Sequence, residues 1–311
     1  MKGKLQTMQT RDVKGINVDY TVTNVGPAIG GEAMLIVTPK VSILVDTGFA
    51  FCGNQLVENV RKVLGSRDLD YIFLSHSHYD HVGGSPYCKR AWPSCKVVTT
   101  EYALKVMKKD SARATMKKLN GYAAKIYKVE EYEDLTDSLD ADMLVKEGDI
   151  VQAGEFTFKV MEFPGHTRDS IGFYDEKEKL FLSCETNGVY VGDDEMVPQY
   201  LVGYQITLDS MDRGLALDVR YMLLSHYDII LGDRCMKLLR RAREMAVIGA
   251  QEVMEGYRSG MDEQQLIDVV KKRYYTDYAR RIQPEAAFDE NAKYMIPMVI
   301  RELSQPDNPS H

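Results

Sequence analysis

The 311-residue sequence lacks most of the features that would place it quickly. No apolar stretch approaches the ~18–20 residues that a membrane span needs. The opening residues Met1-Lys2-Gly3-Lys4-Leu5-Gln6-Thr7 carry no apolar run of the secretory type. The expectation is a cytoplasmic chain with no membrane partner. Cysteine is scarce and odd in number, at five, with no CxxC pair. That argues against a zinc ribbon, a redox dithiol or a disulfide framework, and reads Cys52, Cys88, Cys95, Cys184 and Cys235 as free thiols. No GxSxG elbow and no Cys/His dyad is evident, so a side-chain nucleophile for hydrolysis is missing. Positive charge is in deficit: 39 Lys and Arg stand against 46 Asp and Glu, a formal charge of −7. No nucleic-acid partner is expected from that balance. Internal repeats and low-complexity segments are also absent.

What remains is ordinary globular material, 44% hydrophobic and 27% charged, long enough to bury a large core without staples. Histidine numbers only six, at 76, 78, 81, 166, 226 and 311. Three of them crowd into His76-Ser77-His78-Tyr79-Asp80-His81. The segment before it, Asp70 to Ser75, is β-branched and aromatic and reads as a buried strand. Gly83-Gly84-Ser85-Pro86 follows as a breaker. The cluster therefore sits on a loop at a strand's C-terminal end. In an extended loop, residues two apart point the same way, so His76 and His78 can grip one ion. Asp80 and His81 come after the chain has turned and can face a second. Imidazole with carboxylate suits zinc, iron or manganese.

The other candidates repeat this placement. His166, in Phe163-Pro164-Gly165-His166-Thr167, follows the alternating run Phe156 to Phe163. Glu185 follows Leu180-Phe181-Leu182, and His226 follows Tyr221-Met222-Leu223-Leu224. A glutamate in such a setting is rarely buried unless it is paired or metal-bound. Cys184, beside Glu185, reads as a small buried hydrophobe rather than a ligand.

The order strand–HxHxDH, PGHT, strand–carboxylate, strand–His resembles the metallo-β-lactamase superfamily. Leu44-Val45-Asp46-Thr47-Gly48 and Glu147-Gly148-Asp149-Ile150 are supporting marks, and the resemblance covers about residues 15–235. It implies an α+β fold, a four-layer αβ/βα sandwich of two mixed sheets with helices outside, and a two-metal site on the sheet rim. His76, His78 and His166 would hold one ion; Asp80, His81 and His226 would hold the other. Glu185 stands where the family usually has a bridging Asp, and Asp46 where it has a carboxylate that orients a ligand His. The implied activity is hydrolysis of a thioester or other ester-like small molecule by a metal-bridging hydroxide, with Asp80 passing a proton to the leaving group. Zinc is the first choice of metal, iron or manganese the alternatives. Lactonase, β-lactamase-like or phosphodiesterase activity, or a non-enzymatic metal-bearing effector, are the competing readings. His78 stands where the flavodiiron branch has Glu, which weighs against that chemistry.

Domain organisation follows from texture. Residues 1–235 form the expected catalytic domain and 236–311 a helical cap or dimerisation element, which leaves a homodimer open. The spacing predicts one helix over Asp233–Tyr257, a second opened by a capping box at Asp262-Glu263-Gln264-Gln265 and running through Tyr275, and a third opened by Pro284. Pro297 should kink or end the third. This appendage resembles the C-terminal helices that cover the active site in the quinolone signal response thioesterases. Tyr274, Tyr275 and Tyr278 are read as core rather than pocket lining. Residues 101–129 carry helical patterning with many Lys. A solvated face is the plain reading of that stretch. The sharper one has Lys105, Lys108 or Lys117 meeting an anionic substrate such as a coenzyme A phosphate. The tail Gln305–His311 reads as frayed, and His311 as a non-ligand.

Overall fold

The computed structural model describes residues 6–304. The expectations for Gln305–His311, including His311 as a non-ligand, lie outside the described residues. The chain divides into two compact units that interleave along the sequence. The first takes the chain through Glu162, then Ile171–Cys184 and Val219–Gly232; the second takes Phe163–Ser170, Glu185–Asp218 and the chain from Asp233 on. His166 and Glu185 therefore belong to the second unit, although they fall within residues 1–235.

The first unit contains two sheets. One runs in the order β1 (Gln9–Val13), β2 (Tyr20–Asn24), β3 (Met34–Val37), β4 (Ser42–Val45), β5 (Tyr71–Phe73), β6 (Lys96–Thr100), β7 (Met143–Val145). Its first four strands are antiparallel neighbours, and β4 through β7 pair in parallel. The other sheet contains β8 (Ile150–Ala153), β9 (Phe156–Glu162), β10 (Ile171–Asp175) and β11 (Leu180–Leu182). After β12 (Val189–Tyr190) and β13 (Met196–Val197), which form a ribbon in the second unit, β14 (Tyr221–Leu223) and β15 (Ile229–Leu231) complete it. Its only parallel pair is β11 with β14.

The two-residue period of a strand sorts the side chains between two cores. Ile43, Val45 and Phe73 join Phe158, Phe173, Leu180 and Leu223 between the sheets. Leu44, Ile72 and Leu74 point the other way, into a core shared with helices. Those helices are α1 (Gly53–Leu64), the single turn α2 (Tyr79–Val82), α3 (Ser85–Ala91), α4 (Glu101–Lys108) and α5 (Asp110–Ile126). Strands buried on both faces are continuous apolar runs, as Ser42-Ile43-Leu44-Val45 shows. The Phe73 ring stacks on Phe173 with centroids 4.4 Å apart, directly beneath the His76 loop. The Lys-rich helices form a solvated face. Lys105 pairs with Glu101 at 2.8 Å, Lys108 with Asp140 at 2.9 Å and Lys117 with Asp137 at 2.6 Å.

The second unit holds α6 (Tyr204–Leu215), α7 (Arg234–Arg258), α8 (Glu263–Tyr274), α9 (Ala279–Ile282) and α10 (Glu285–Leu303). On α7 the buried positions Leu238, Leu239, Ala242, Met245, Ala246, Gly249, Ala250 and Val253 recur at helical spacing. Gly249 is required there: a Cβ would collide with the hydroxyl of Tyr274, which donates to the Met245 carbonyl. Tyr274 and Tyr275 are both buried, as core aromatics would be. Helix α8 begins with the expected reciprocal box, Asp262 accepting from the Gln265 N–H and Gln265 from the Asp262 N–H. Helix α10 does not end at Pro297 but continues to Leu303. Met295, Ile296, Met298 and Val299 are buried on either side of the proline, and their packing offsets the one backbone hydrogen bond it removes.

None of the five cysteines is in a disulfide, and all are buried. Burial alone pushes the Cys52 thiol from 9.0 to about 12, and burial pushes Cys95 to about 12 as well. Native protein at pH 8 should therefore resist a thiol reagent that labels all five after denaturation. A thiol whose pKa is higher folded than unfolded contributes stability below pH ~9 that is lost as pH rises toward 12. The midpoint of urea unfolding should fall over that range. Phe73→Ala should cost about 3–5 kcal/mol in the same assay.

Candidate metal centre

In the first unit a histidine cluster is built on the ends of β4 and β5. These strands are parallel neighbours with Val45 opposite Phe73, so Asp46 and the Leu74–His78 loop leave the sheet side by side. Asp46 is buried, and its carboxylate accepts from the Ser75 N–H at 2.8 Å, the Ser75 hydroxyl at 2.8 Å and the His81 ring Nδ1 at 2.8 Å. A carboxylate at this distance makes Nδ1 the protonated nitrogen of His81 and leaves Nε2 with the lone pair. The Ser75 oxygen is also 2.9 Å from His76 Nδ1. With the serine proton donated to Asp46, His76 Nδ1 donates to the serine oxygen. The turn α2 then brings Asp80 and His81 round, with His78 as its first flanking residue. The His76 and His78 rings meet at 4.6 Å between centroids, and His76 and His81 at 4.1 Å.

His226 joins this cluster from the loop after β14. Its Nε2 lies 3.2 Å from His81 Nε2, and Asp80 Oδ2 is 3.9 Å from each of those nitrogens. On its far side, His226 Nδ1 is 3.4 Å from Glu32 Oε2. Two imidazoles backed by carboxylates on Nδ1 present lone pairs to each other at Nε2. That arrangement repels unless a cation or a proton lies between them. The donor set of Asp80, His81 and His226 thus fits a divalent ion, and the three converge closely enough to hold one. His226 also has φ 59°, a left-handed backbone that a non-glycine residue adopts only under strain, consistent with a conformation imposed by its role.

Glu32 is the residue that sequence reading missed. It is buried, follows Gly30-Gly31, and also accepts from the Gly30 N–H at 3.0 Å. A glutamate among small residues far from any histidine motif gives no periodic signal; its burial is the only clue, and burial is not visible in one sequence.

In the second unit, the Phe163–Ser170 loop presents His166. Its Nδ1 donates to the Gln199 carbonyl at 3.1 Å and its backbone N–H to Thr186 Oγ1 at 3.1 Å. The ring therefore also keeps its lone pair on Nε2, which lies 3.4 Å from Glu185 Oε2. Glu185 opens a 3-10 turn, Glu185–Asn187, immediately after β11 and is buried. Gly165 is held so closely that a Cβ would lie 2.5 Å from Thr207 Oγ1. Cys184 is buried and belongs to no metal-competent group among the described residues.

The family model described as the metallo-beta-lactamase superfamily matches residues 27–226. The chain belongs to the metallo-β-lactamase superfamily. Solved structures carry the same fold at low identity. A metallo-β-lactamase family protein of Thermus thermophilus has a TM-score of 0.59 at 15% identity, covering 96% of this chain and 94% of that one. A β-lactamase domain protein of Burkholderia ambifaria has a TM-score of 0.60 at 15% identity, covering 94% and 88%. Mixed sheets flanked by helices, with a helical C-terminal region, are the fold this family resemblance implied. Among curated relatives, the acyl-coenzyme A thioesterase MBLAC2 of Gallus gallus is 32% identical over 103 residues, 30% of this chain and 35% of its own length. A hydroxyacylglutathione hydrolase of Bdellovibrio bacteriovorus is 30% identical over 116 residues, 37% of this chain and 34% of its own length. The matches thus span about a third of these relatives.

Removing a carboxylate that orients a ligand ring typically costs about 10–100-fold in metal affinity. Glu32→Gln and Asp46→Asn should each do so in a chelator competition with zinc. Unchanged affinity in both would show that these carboxylates play no part in ion binding.

Proposed function

We propose that this chain is a metal-dependent hydrolase of a thioester or another ester-like small molecule, working with two divalent ions. Zinc is the first choice, iron or manganese the alternatives. The observation that carries the reading is the pair of carboxylate-backed imidazoles, His81 and His226, with Nε2 atoms 3.2 Å apart. The order of motifs in the family assigns Asp80, His81 and His226 to one ion and His76, His78 and His166 to the other, with Glu185 as the shared carboxylate.

Ions bound by these residues would supply Lewis acidity, lowering the pKa of water toward neutrality and polarising the attacked carbonyl. The chain's own groups do the rest. Asp46 and Glu32 fix the tautomers of His81 and His226 and so aim both lone pairs. Asp80 is the most exposed carboxylate of its cluster, at 19% for its side chain, and is the group placed to pass a proton to a leaving thiolate or alkoxide. The names of the relatives, an acyl-coenzyme A thioesterase and a hydroxyacylglutathione hydrolase, support an acyl derivative as substrate. Five buried cysteines without a disulfide are compatible with a reducing cytoplasm.

Purified protein should carry about two divalent ions per chain. His78→Ala should abolish turnover and leave the far-UV circular dichroism unchanged. A panel of acyl thioesters, lactones, β-lactams and phosphodiesters then separates the substrate classes. Turnover of a thioester above the others is expected; no turnover of any substrate by metal-loaded protein would favour the effector reading.

A further inference from the structure

The loop that presents His166 is closed on itself by the Phe163 N–H to the Ser170 carbonyl at 2.8 Å and the Thr167 N–H to Ser170 Oγ at 3.2 Å, but its hold on the ring comes from further along the chain. Three hydrogen bonds tie it to residues 199–202: the Gln199 carbonyl accepts from His166 Nδ1 at 3.1 Å, and the Leu201 and Val202 N–H groups both donate to the Gly165 carbonyl at 2.9 Å. Ser210 of α6 adds a fourth, donating to the Pro164 carbonyl at 2.7 Å. Thr186 also holds the His166 N–H, but the ring nitrogen Nδ1 donates to the Gln199 carbonyl, so the ring's orientation depends on the position of residues 199–202.

That segment is gripped at two points by α10, about a hundred residues further on. Asn291 donates through Nδ2 to Gln199 Oε1 at 3.3 Å. Gln199 is buried, and both amides line a small pocket with Val270, Tyr274, Phe288 and Met295. At the other end, Glu302 accepts from the Tyr204 N–H at 3.0 Å and the Gln205 N–H at 2.9 Å. These are the first residues of α6, whose own flanking residue, Gly203, has no side chain with which to cap it. Glu302 supplies a carboxylate cap from 98 residues away, where the helix dipole favours negative charge.

We propose that α10 is a brace for His166, with Asn291 and Glu302 as positioning residues that set the ring of a metal ligand through residues 199–205. The brace explains why the C-terminal helices form one compact unit with the His166 loop. It rests on the reading of His166 as a ligand.

The test is a zinc titration of the full chain against a chromophoric chelator. His166→Ala marks the binding step to which His166 contributes. Asn291→Leu and Glu302→Ala should each weaken that step about tenfold, the low end of the effect of an outer partner, and leave the other step within about twofold. Asn291→Asp can still accept a bond from the Gln199 amide once that amide flips, so it should restore near-native affinity. The Asn291 and Gln199 effects should be non-additive, since Gln199→Ala removes the same contact. Native zinc affinity in both Asn291→Leu and Glu302→Ala, whatever the change in Tm, would overturn the brace while sparing the site. If Asn291→Leu fails to fold, Glu302→Ala decides alone. A wild-type chain that takes up no zinc, or a His166→Ala variant that loses none, would overturn the ligand assignment and the brace with it.

Discussion

The buried carboxylate of Asp46 is the constraint on which the first unit's histidine cluster depends. An ion removed from water is costly unless donors replace the water it loses. Asp46 meets this with the Ser75 N–H, the Ser75 hydroxyl and the His81 ring, and its own N–H donates to the Phe73 carbonyl. Every one of these partners comes from the end of β5 or the turn after it. They are within reach only because β4 and β5 are parallel neighbours in register. Asp46 also sits at φ 55°, a left-handed conformation that costs about 1–3 kcal/mol for such a residue and persists only where its surroundings fix it. Parallel pairing, a strained backbone and a satisfied buried charge are thus one arrangement, and its product is the fixed tautomer of His81.

The same logic recurs with different acceptors. His81 gives its Nδ1 proton to Asp46, His226 to Glu32, His76 to the Ser75 oxygen and His166 to the Gln199 carbonyl. With Nδ1 as the donor, each ring in its neutral form has its lone pair on Nε2, the condition for binding a cation. The acceptors are not equivalent. Carboxylates behind His81 and His226 raise the basicity of those rings, whereas a hydroxyl and a neutral carbonyl stand behind His76 and His166. His81 and His226 therefore differ in donor strength from His76 and His166.

Much of this was legible in the sequence because the motif residues are local. HxHxDH declares itself through spacing, and β5, β9 and α7 through hydrophobic periods of two or 3.6 residues. Asp46 was readable from the Leu-Val-Asp-Thr-Gly run at the end of an apolar strand, and the box at Asp262–Gln265 from its residue types. Glu32 was not, because its partner His226 lies 194 positions away and no local pattern links them. The Gln199 carbonyl was less legible still: a backbone acceptor has the same chemistry at every residue. The C-terminal boundary read from texture describes where helices begin, whereas the compact units follow packing. A loop such as Phe163–Ser170 can belong to helices that appear seventy residues later.

That interleaving changes what the C-terminal region means. A tail that merely followed a finished domain would leave the site intact if it altered. Here the segment 199–205 sits between two demands, the ligand loop on one side and α10 on the other. Its backbone groups are spent on Gly165 and His166, and its remaining N–H groups at the start of α6 need an acceptor that Gly203 does not provide. Glu302 meets that need, and the continuation of α10 past Pro297 to Leu303 is what carries it there. The helix tolerates an internal proline because its buried face on either side holds it together. The residues beyond that proline are the ones that complete the support of a histidine more than a hundred positions earlier.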